Sequence, residues 1–583
     1  MTRETTRSPL ELFAAAIAVL LPVAYTPGLE GQAWTARSAL LLLVVAVGLP
    51  VLWRQARGQQ PLAARAAIAF LLVGAASALL SPNPTTAVFG LYNQGTGLLF
   101  MASLSSAWAI GSCVSLESRP LIERALIVGV VINAVVAVVA CLLPPASSAA
   151  SNWFDPSGRV QALAGNPVHL AALAVLGLAL IVPRFATSAV RWALPVAALA
   201  AAVELSGTRL ALLVMLGMVM WAGRRHGVRA AATLGVVVIL GLAAGSAIVP
   251  SANSGATQRA TSTQDWKTRP ATWLSARHSI AAHPLLGIGP GQFRTATSPY
   301  RPVSVALAEG SDKLFTDAHN LFVEYLTTTG ILGLAALAVW LVAAIRPARG
   351  WLLVGAVGVL AIHLAEPQSV ITTPLMFLAL GAAAGRRRPA AVPALSSPPD
   401  RALRAAVPAG LVALAVAAAA VFLVAEFDLA QGQLDLRASP VQQANRLLPA
   451  WPRPASLLAR VRLFEGITGH RNGPQYQESR AWRVVAIHRD DTDPALWSDL
   501  AEYDASRGRN RDAAAEFLQA LRLNPTSARA MDGLGRLAQA ACDPSQAALW
   551  HARSVRVAPL PAAAPGVQVA GTSPEPLCAG QHA

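Results

Sequence analysis

Long apolar runs recur through the first three quarters of the chain, separated by short polar or proline-containing segments. A helix needs about 20 apolar residues to cross a bilayer, so each run predicts a membrane-spanning helix. No A-x-A-like cleavage site follows the first run, which favours a retained span over a signal peptide. The pattern predicts twelve or thirteen spans, with candidates near 10–27, 38–53, 64–81, 96–113, 121–143, 168–183, 189–205, 208–223, 230–250, 320–345, 351–365, 369–384 and 405–426.

The pattern changes after residue 426 to polar, amphipathic segments with a 34-residue period, which is typical of tetratricopeptide repeats. Leu500 and Leu534 occupy equivalent positions in the windows 493–525 and 526–559, as do Ala514 and Ala548, and Pro525 and Pro559. A stable array needs about three copies, so residues 452–489 are expected to form an earlier, degenerate copy. A plain helical hairpin domain is the alternative.

The resulting fold prediction is all-α, a polytopic transmembrane bundle followed by a soluble helical repeat domain. Residues 1–426 form the predicted membrane domain, which includes a long loop at 251–318, and residues 427–559 form the repeat domain. Residues 560–583 are rich in Pro, Ala and Gly and are predicted to be a disordered tail.

Composition supports a membrane protein and argues against a nucleic-acid-binding one. Of 583 residues, 54% are hydrophobic and only 13% are charged, whereas soluble domains carry about 25% charged residues. The net charge of +16 comes from arginines scattered between apolar runs, not from a basic stripe with interleaved aromatics.

Arginine asymmetry predicts the orientation, because short cytoplasmic loops are enriched in Lys and Arg. Short loops on the N-terminal side hold nineteen arginines, namely Arg3, Arg7, Arg54, Arg57, Arg65, Arg119, Arg124, Arg184, Arg191, Arg224, Arg225, Arg229, Arg346, Arg349, Arg386, Arg387, Arg388, Arg401 and Arg404. The opposite short loops hold only Arg37, Arg159 and Arg209. Thirteen spans would therefore place loop 251–318 and the repeats on the outer, periplasmic side of a bacterial cytoplasmic membrane. A disulfide between Cys542 and Cys578 would be possible there.

Candidate chemistry lies where polar residues meet the outer ends of spans, since a charge in apolar surroundings is costly unless it faces a cavity or a partner. Arg209 begins one run, and Arg159 and His169 flank another. Taken singly, Arg209 could be an interfacial arginine that snorkels to the headgroups, and Arg159 and His169 could belong to a loop turn and a helix start.

The outer loop carries an ordered set of motifs. Arg269 and Trp273 form Arg-x-x-x-Trp, residues 283–293 read His-Pro-x-x-Gly-x-Gly-x-Gly-x-Phe with Gly289 and Gly291 as its later glycines, and His319-Asn320 precedes a span containing Gly-x-x-Gly. Each motif alone is weak, because loops are often rich in glycine and His-Asn can be a helix cap. In this order they are not generic.

The ordered set resembles the O-antigen ligase and Wzy-type polymerase superfamily. Phe89-Gly90-Leu91-Tyr92, Gly165-Asn166-Pro167 and Thr208-Arg209 also fit, and the resemblance covers about residues 10–385. Gln94 departs from the pattern, since relatives often show a basic residue there. Many relatives also carry C-terminal tetratricopeptide repeats, and the resemblance implies a GT-C-like membrane fold.

The resemblance implies a glycosyltransferase that moves a glycan from undecaprenyl pyrophosphate to an acceptor hydroxyl at the outer face. His319 would be the general base, and Arg209, Arg269 and the weaker candidate Arg159 would bind the pyrophosphate. Direct attack would invert the anomeric carbon. Asn320, Trp273, Gly289, Gly291 and His169 are expected to support the site.

No metal or other cofactor is expected. The first outer loop has only Glu30 as a carboxylate that could bind a metal ion, and the acidic run 490–493 is expected to precede a repeat helix. The acceptor stays open among a lipid, a glycan and a protein hydroxyl, and the repeats could bind envelope-assembly proteins. Two rival classes also remain. A flippase for lipid-linked sugars would predict helices broken at mid-membrane, whereas a tethered repeat scaffold would leave His319 unexplained.

Overall fold

The computed structural model describes residues 7–29, 31–58, 60–92, 94–143, 153–155, 157–249, 255–261, 264–385, 398–468 and 473–558. The predicted tail 560–583, Cys578, and Arg386–Arg388 of the predicted cytoplasmic loops lie outside the described residues. The described chain divides into two compact units. Unit 1 comprises Met1–Ser262, Leu285–Gly291 and His319–Phe427, and unit 2 comprises Thr263–Pro284, Gln292–Ala318 and Asp428–Ala583.

The apolar runs form helices, as predicted. Unit 1 contains α1 (Pro9–Val23), α2 (Thr35–Gln55), α3 (Pro61–Leu79), α4 (Pro84–Phe89), α5 (Leu98–Ser112), α6 (Arg119–Leu142), α7 (Pro167–Thr187), α8 (Ala189–Ser206), α9 (Arg209–His226), α10 (Val228–Ala247), α14 (Leu321–Ile345), α15 (Trp351–Ile362), α16 (Thr372–Ala383) and most of α17 (Pro398–Asp435). Apart from the short α4, these correspond one to one with the thirteen predicted runs.

Eight helices of the described chain are long and apolar enough to cross a membrane. Four more apolar helices are shorter, among them α1 and α16, and α9 carries arginines at both ends. Large apolar side chains on α10 face outward, with Ile239 64% exposed. By length and composition, these helices are those of a polytopic membrane protein.

Small residues let the helices of unit 1 approach closely, as is common where helices pack in membranes. A Cβ added at Gly111 of α5 would meet the Leu378 carbonyl of α16, and one at Gly381 would meet the Trp108 carbonyl. The α5–α16 interface is therefore a backbone-to-backbone contact.

Helix α14 is broken at Gly330, where φ is 67° and ψ is −170°. A helix broken within a span is a feature that the flippase alternative predicts. Thr327, Thr328 and Thr329, immediately before the break, are buried. A sequence pattern shows apolar periodicity but not the backbone conformation of a single glycine.

Unit 2 combines the C-terminal helices with two segments of the predicted outer loop. Its helices are α11 (Gln264–Ala282), α12 (Phe293–Thr297), α13 (Val303–Glu309), α18 (Ala438–Leu447), α19 (Pro452–Thr468), α20 (Pro474–Arg489), α21 (Pro494–Ser506), α22 (Asn510–Leu523), α23 (Ala528–Ala540) and α24 (Pro544–Val557). Three consecutive helix pairs, α19–α20, α21–α22 and α23–α24, pack in register with the predicted repeats.

The turns within the repeat pairs explain how the second copy tolerates Cys542. Gly508 lies between α21 and α22 with φ of 73°, and Cys542 lies between α23 and α24 with φ of 56°. Both positions adopt the left-handed conformation that favours glycine. The turn therefore keeps the same left-handed conformation although the second copy has Cys542 where the first has Gly508.

Candidate functional site

Several predicted site residues lie at one end of the helices of unit 1. Helices α7 and α15 are antiparallel, because a Cβ at Gly355 would meet Leu176 whereas one at Gly358 would meet Val175. The C-terminal end of α15, at His363, therefore lies beside the N-terminal end of α7, at Asn166. We call this the site end.

His319 is held at the site end by its neighbour. Asn320 caps α14, accepting hydrogen bonds from Phe322 N–H at 2.9 Å and Val323 N–H at 3.0 Å, and its side-chain amide donates to the Leu364 carbonyl at 2.7 Å. Leu321 N–H donates to the His363 carbonyl at 2.9 Å. His319 itself has φ of 50°, a conformation that costs free energy for a residue with a side chain. Such strain recurs at functional positions.

Arg159 and Arg209 converge on the turn between α8 and α9, also at the site end. The Arg159 guanidinium donates to the Ser206 carbonyl at 2.8 Å and to the Thr208 hydroxyl at 3.3 Å. Arg209 follows Thr208 and donates to the Arg259 carbonyl at 3.2 Å. Arg159 was the weaker candidate in the sequence, but it directly contacts the residue that precedes Arg209.

Glu204 was not predicted as a site residue from the sequence, but it stabilises the same turn from its buried side. Its side chain is fully buried, and its carboxylate accepts hydrogen bonds from Ser246 Oγ at 2.9 Å, Thr257 N–H at 3.0 Å and Thr257 Oγ1 at 2.6 Å. A side chain at Gly255 would strike the carboxylate. Glu204 thus fixes the start of the outer loop against the α8–α9 turn. The sequence feature that could have indicated Glu204 is its position as an acidic residue inside a long apolar run.

Arg37 was counted among the outer-loop arginines, but it is fully buried. Its guanidinium donates to the Leu21, Pro22 and Leu163 carbonyls at 2.7–2.8 Å and also to the Ala33 carbonyl. The Leu21 and Pro22 carbonyls belong to the end of α1, and the Leu163 carbonyl belongs to the short 3₁₀ turn Ala162–Ala164, which precedes Gly165-Asn166. Arg37 therefore stabilises the backbone under the site end and does not reach an outer surface.

The glycine-rich motif supports the break in α14. Ile288 N–H donates to the Thr327 carbonyl at 3.2 Å, and Gly289 N–H donates to the Thr328 carbonyl at 2.9 Å. Leu332 N–H, beyond the break, donates to the Leu285 carbonyl at 3.3 Å. The loop thus satisfies the backbone groups that the broken helix frees, as the interior of a membrane protein requires. Gly289 pairs with the helix, and Gly291, with φ of 68°, lies close to Gly90.

Arg269 and Trp273 belong to unit 2, where both lie on α11 one turn apart. Trp273 Nε1–H donates to the Ala318 carbonyl at 2.7 Å, and Ala318 is the residue that precedes His319. Trp273 therefore fixes the backbone of the residue that precedes His319. The expected convergence of Arg209 and Arg269 on one cavity stays a prediction.

His169 lies half-buried in the first turn of α7, directly after the cap that Asn166 makes with Val168 N–H at 2.8 Å. Among the described residues, no group of His, Cys, Asp or Glu side chains is arranged to hold a metal ion. The predicted acidic run has other partners, since Asp493 caps α21. Asp490 is paired with Arg294.

Comparison with known proteins identifies residues 194–338 as matching the O-antigen ligase family. The matched segment contains Arg209, Arg269, Trp273, the glycine-rich motif and His319. The resemblance predicted from these motifs is thus confirmed over this segment, which is about a quarter of the chain.

No curated protein matches the sequence. Among solved structures, the crystal structure of the APC/C hetero-tetramer Cut9-Hcn1 matches 86% of this chain and 82% of its own, with 11% identity and a TM-score of 0.21. A score this low carries no argument about architecture or function.

Proposed function

We propose that this protein transfers a glycan from a polyprenyl pyrophosphate, undecaprenyl pyrophosphate in bacteria, to an acceptor hydroxyl at the outer face of the cytoplasmic membrane. The observation that carries the proposal is the family match over 194–338 together with the site end. His319 precedes the cap of α14, Arg209 begins α9, and Arg159 bonds to the turn before Arg209, all within unit 1. The family supports a glycan-transferring enzyme, and the donor and the membrane face are our proposal.

In the proposed reaction, His319 accepts the proton of the acceptor hydroxyl as its oxygen attacks the anomeric carbon. The bond between that carbon and the pyrophosphate oxygen breaks, and the polyprenyl pyrophosphate leaves with the bonding electrons. One displacement of this kind inverts the anomeric configuration. An imidazole ordinarily titrates near neutral pH, and a positioned general base contributes about 10²–10⁴-fold to a rate.

The arginines are proposed to bind the departing pyrophosphate. A guanidinium stays protonated and matches two phosphate oxygens at once, and preorganised positive charge in a site poor in water stabilises the charge that develops on the leaving group. Arg159 bonds to the turn that leads into Arg209, and this proximity favours a shared anionic ligand. Arg269 is assigned to the same ligand on the basis of its motif.

Two observations bear on the flippase alternative. The break in α14 is a feature that transporters use, so it favours this class more than the sequence did. Yet the Thr327 and Thr328 carbonyls and the Leu332 N–H beside the break are bonded to the protein's own loop 285–291, whereas a transporter would use such groups to bind its substrate. Glycan transfer therefore remains the better-supported function.

The proposal is tested in cells by His319→Ala with His226→Ala as a matched control. His226 ends α9, the helix that Arg209 begins, so it lies at the opposite end of that helix from the site. We expect His319→Ala to abolish the envelope glycan product and to accumulate lipid-linked donor at normal protein level, whereas His226→Ala keeps the product. Product from His319→Ala at the control level would exclude His319 as the base.

A further inference from the structure

The turns between successive repeats occur at equivalent positions. Asp490 and Asp493 lie in the turn that joins α20 to α21, and Asn524 and Ser527 lie in the turn that joins α22 to α23. Asn524 follows Asp490 by one 34-residue repeat period, and Ser527 follows Asp493 by the same period. We call these segments, 490–493 and 524–527, the first and second inter-repeat turns.

An arginine of the outer loop binds the first inter-repeat turn. The Arg294 guanidinium donates to Asp490 and to Asp493, at 2.9 Å each, and Thr295 donates to the Thr492 hydroxyl at 3.2 Å. Burial alone would lower the pKa of Arg294, but Asp493 and Asp490 outweigh it and raise the pKa above its ordinary value. The guanidinium therefore stays charged within this contact.

A second arginine, seven residues later, binds the second inter-repeat turn. Arg301 donates to the Thr526 hydroxyl at 2.9 Å and to the Ser311 carbonyl at 2.7 Å. Asn524 donates to the same Ser311 carbonyl at 3.2 Å. Asp312 accepts a hydrogen bond from Ser527. The outer loop thus binds each inter-repeat turn through an arginine guanidinium.

Apolar contacts reinforce the polar ones. Ala306 of α13 packs in one cluster with Ala528, Met531 and Val557 of the last repeat pair. All the partners are buried, and burying apolar area in this way stabilises a contact that hydrogen bonds alone would leave open to water.

We propose that the two inter-repeat turns are a docking site for the chain's own outer loop, and that Arg294 is the positioning residue that couples the repeats to glycan transfer. The occupant is residues 292–318, which end next to His319. The coupling rests on the proposed function, whereas the docking itself does not. One consequence is that these turns are not open to a separate protein partner.

The route from the repeats to the reaction runs along the chain. Docking fixes residues 292–318, and Trp273 holds the Ala318 carbonyl at 2.7 Å. Removing one partner of a buried ion pair leaves an uncompensated charge and is strongly destabilising. A released loop would misplace His319, and a displacement of about 1 Å at a reacting group costs about 10²-fold in rate.

The first test combines charge reversal with rescue in the full-length protein. Arg294→Asp should lower kcat for glycan transfer about 10²-fold with little change in the KM for the lipid-linked donor, and adding Asp490→Arg should restore most of it. Arg522→Asp is the matched control, because Arg522 is exposed and donates a hydrogen bond to Gln519 of its own helix. Wild-type kcat for Arg294→Asp, or failure of the second change to rescue, would overturn the coupling.

The second test measures docking without activity. Thr295→Cys with Thr492→Cys should form a disulfide under mild oxidation, since the two hydroxyls are 3.2 Å apart, and Arg294→Asp should abolish its formation. A cross-link that forms equally well with Arg294→Asp would refute the docking contact. If the double-cysteine protein cross-links but neither it nor the wild type transfers glycan, docking stands and the proposed function fails.

Discussion

Substituting Gly330 with alanine perturbs the break in α14 directly. The new Cβ would meet the Leu285 carbonyl and the backbone nitrogen of Leu286, neither of which is the flexible end of a side chain. The φ of 67° and ψ of −170° define a region that is essentially restricted to glycine and costs another residue about 1–3 kcal/mol. Overpacking adds about 1–3 kcal/mol, so the total is about 2–6 kcal/mol.

The matched control is Gly217→Ala. Gly217 lies within α9, and a Cβ there has no neighbour within 4 Å, so alanine should stabilise the helix by about 0.5–1 kcal/mol. The assay compares thermal unfolding midpoints of the two variants in the same detergent, together with transfer activity. Gly330→Ala should unfold well below the wild type and lose activity, whereas Gly217→Ala should do neither. Equal midpoints for both variants would refute the argument that loop 285–291 and the broken helix form a close-packed joint.

Three further predictions concern the arginines, the buried acid and the repeats. Arg209→Lys should raise the KM for the lipid-linked donor and lower kcat, because an ammonium cannot bind two phosphate oxygens as a guanidinium does; Arg224→Lys at the other end of α9 should leave both unchanged. Glu204→Ala should impair transfer more than Glu204→Gln, because alanine removes the acceptor that Ser246 and Thr257 share. Equal activity of both variants and the wild type over a range of lipid-linked donor concentrations would exclude a positioning role for Glu204. Burial, and to a smaller extent the neighbouring Asp504, raises the pKa of Glu516 to about 8. The folded repeats therefore favour the protonated acid. Their free energy of unfolding should fall as pH rises from the ordinary carboxyl range toward 8. Glu516→Gln should flatten that loss in unfolding midpoints measured against pH, and an unchanged pH dependence would contradict the assignment.

The span pattern was predictable because a bilayer imposes one requirement on every run, namely enough consecutive apolar residues to cover the hydrocarbon core. The positions of Arg209 and His319 at helix starts followed from the same runs. The repeat period was visible because identical contacts recur at a fixed spacing, as Leu500 and Leu534 show.

Features that depend on contacts between distant segments were not predictable. In the sequence, Arg37 cannot be distinguished from an ordinary loop arginine. In the structure, its guanidinium donates hydrogen bonds to four backbone carbonyls from distant parts of the chain. Glu204 functions through Thr257, which the sequence places beyond two helices. Arg294 and Asp490 are separated by almost 200 residues, and neither belongs to a motif that pairs them. The motifs therefore predicted the chemistry, and the supporting contacts required the fold.

The central claim is tested most directly by reconstituting the purified protein in lipid nanodiscs with a polyprenyl-pyrophosphate-linked glycan and a hydroxyl acceptor. The account predicts that free polyprenyl pyrophosphate appears in a one-to-one ratio with the new glycosidic bond, that the bond has inverted configuration, and that His319→Ala abolishes both while its unfolding midpoint stays within a few degrees of the wild type. Retention of configuration, release of pyrophosphate without a glycosidic product, or undiminished transfer by His319→Ala would contradict it.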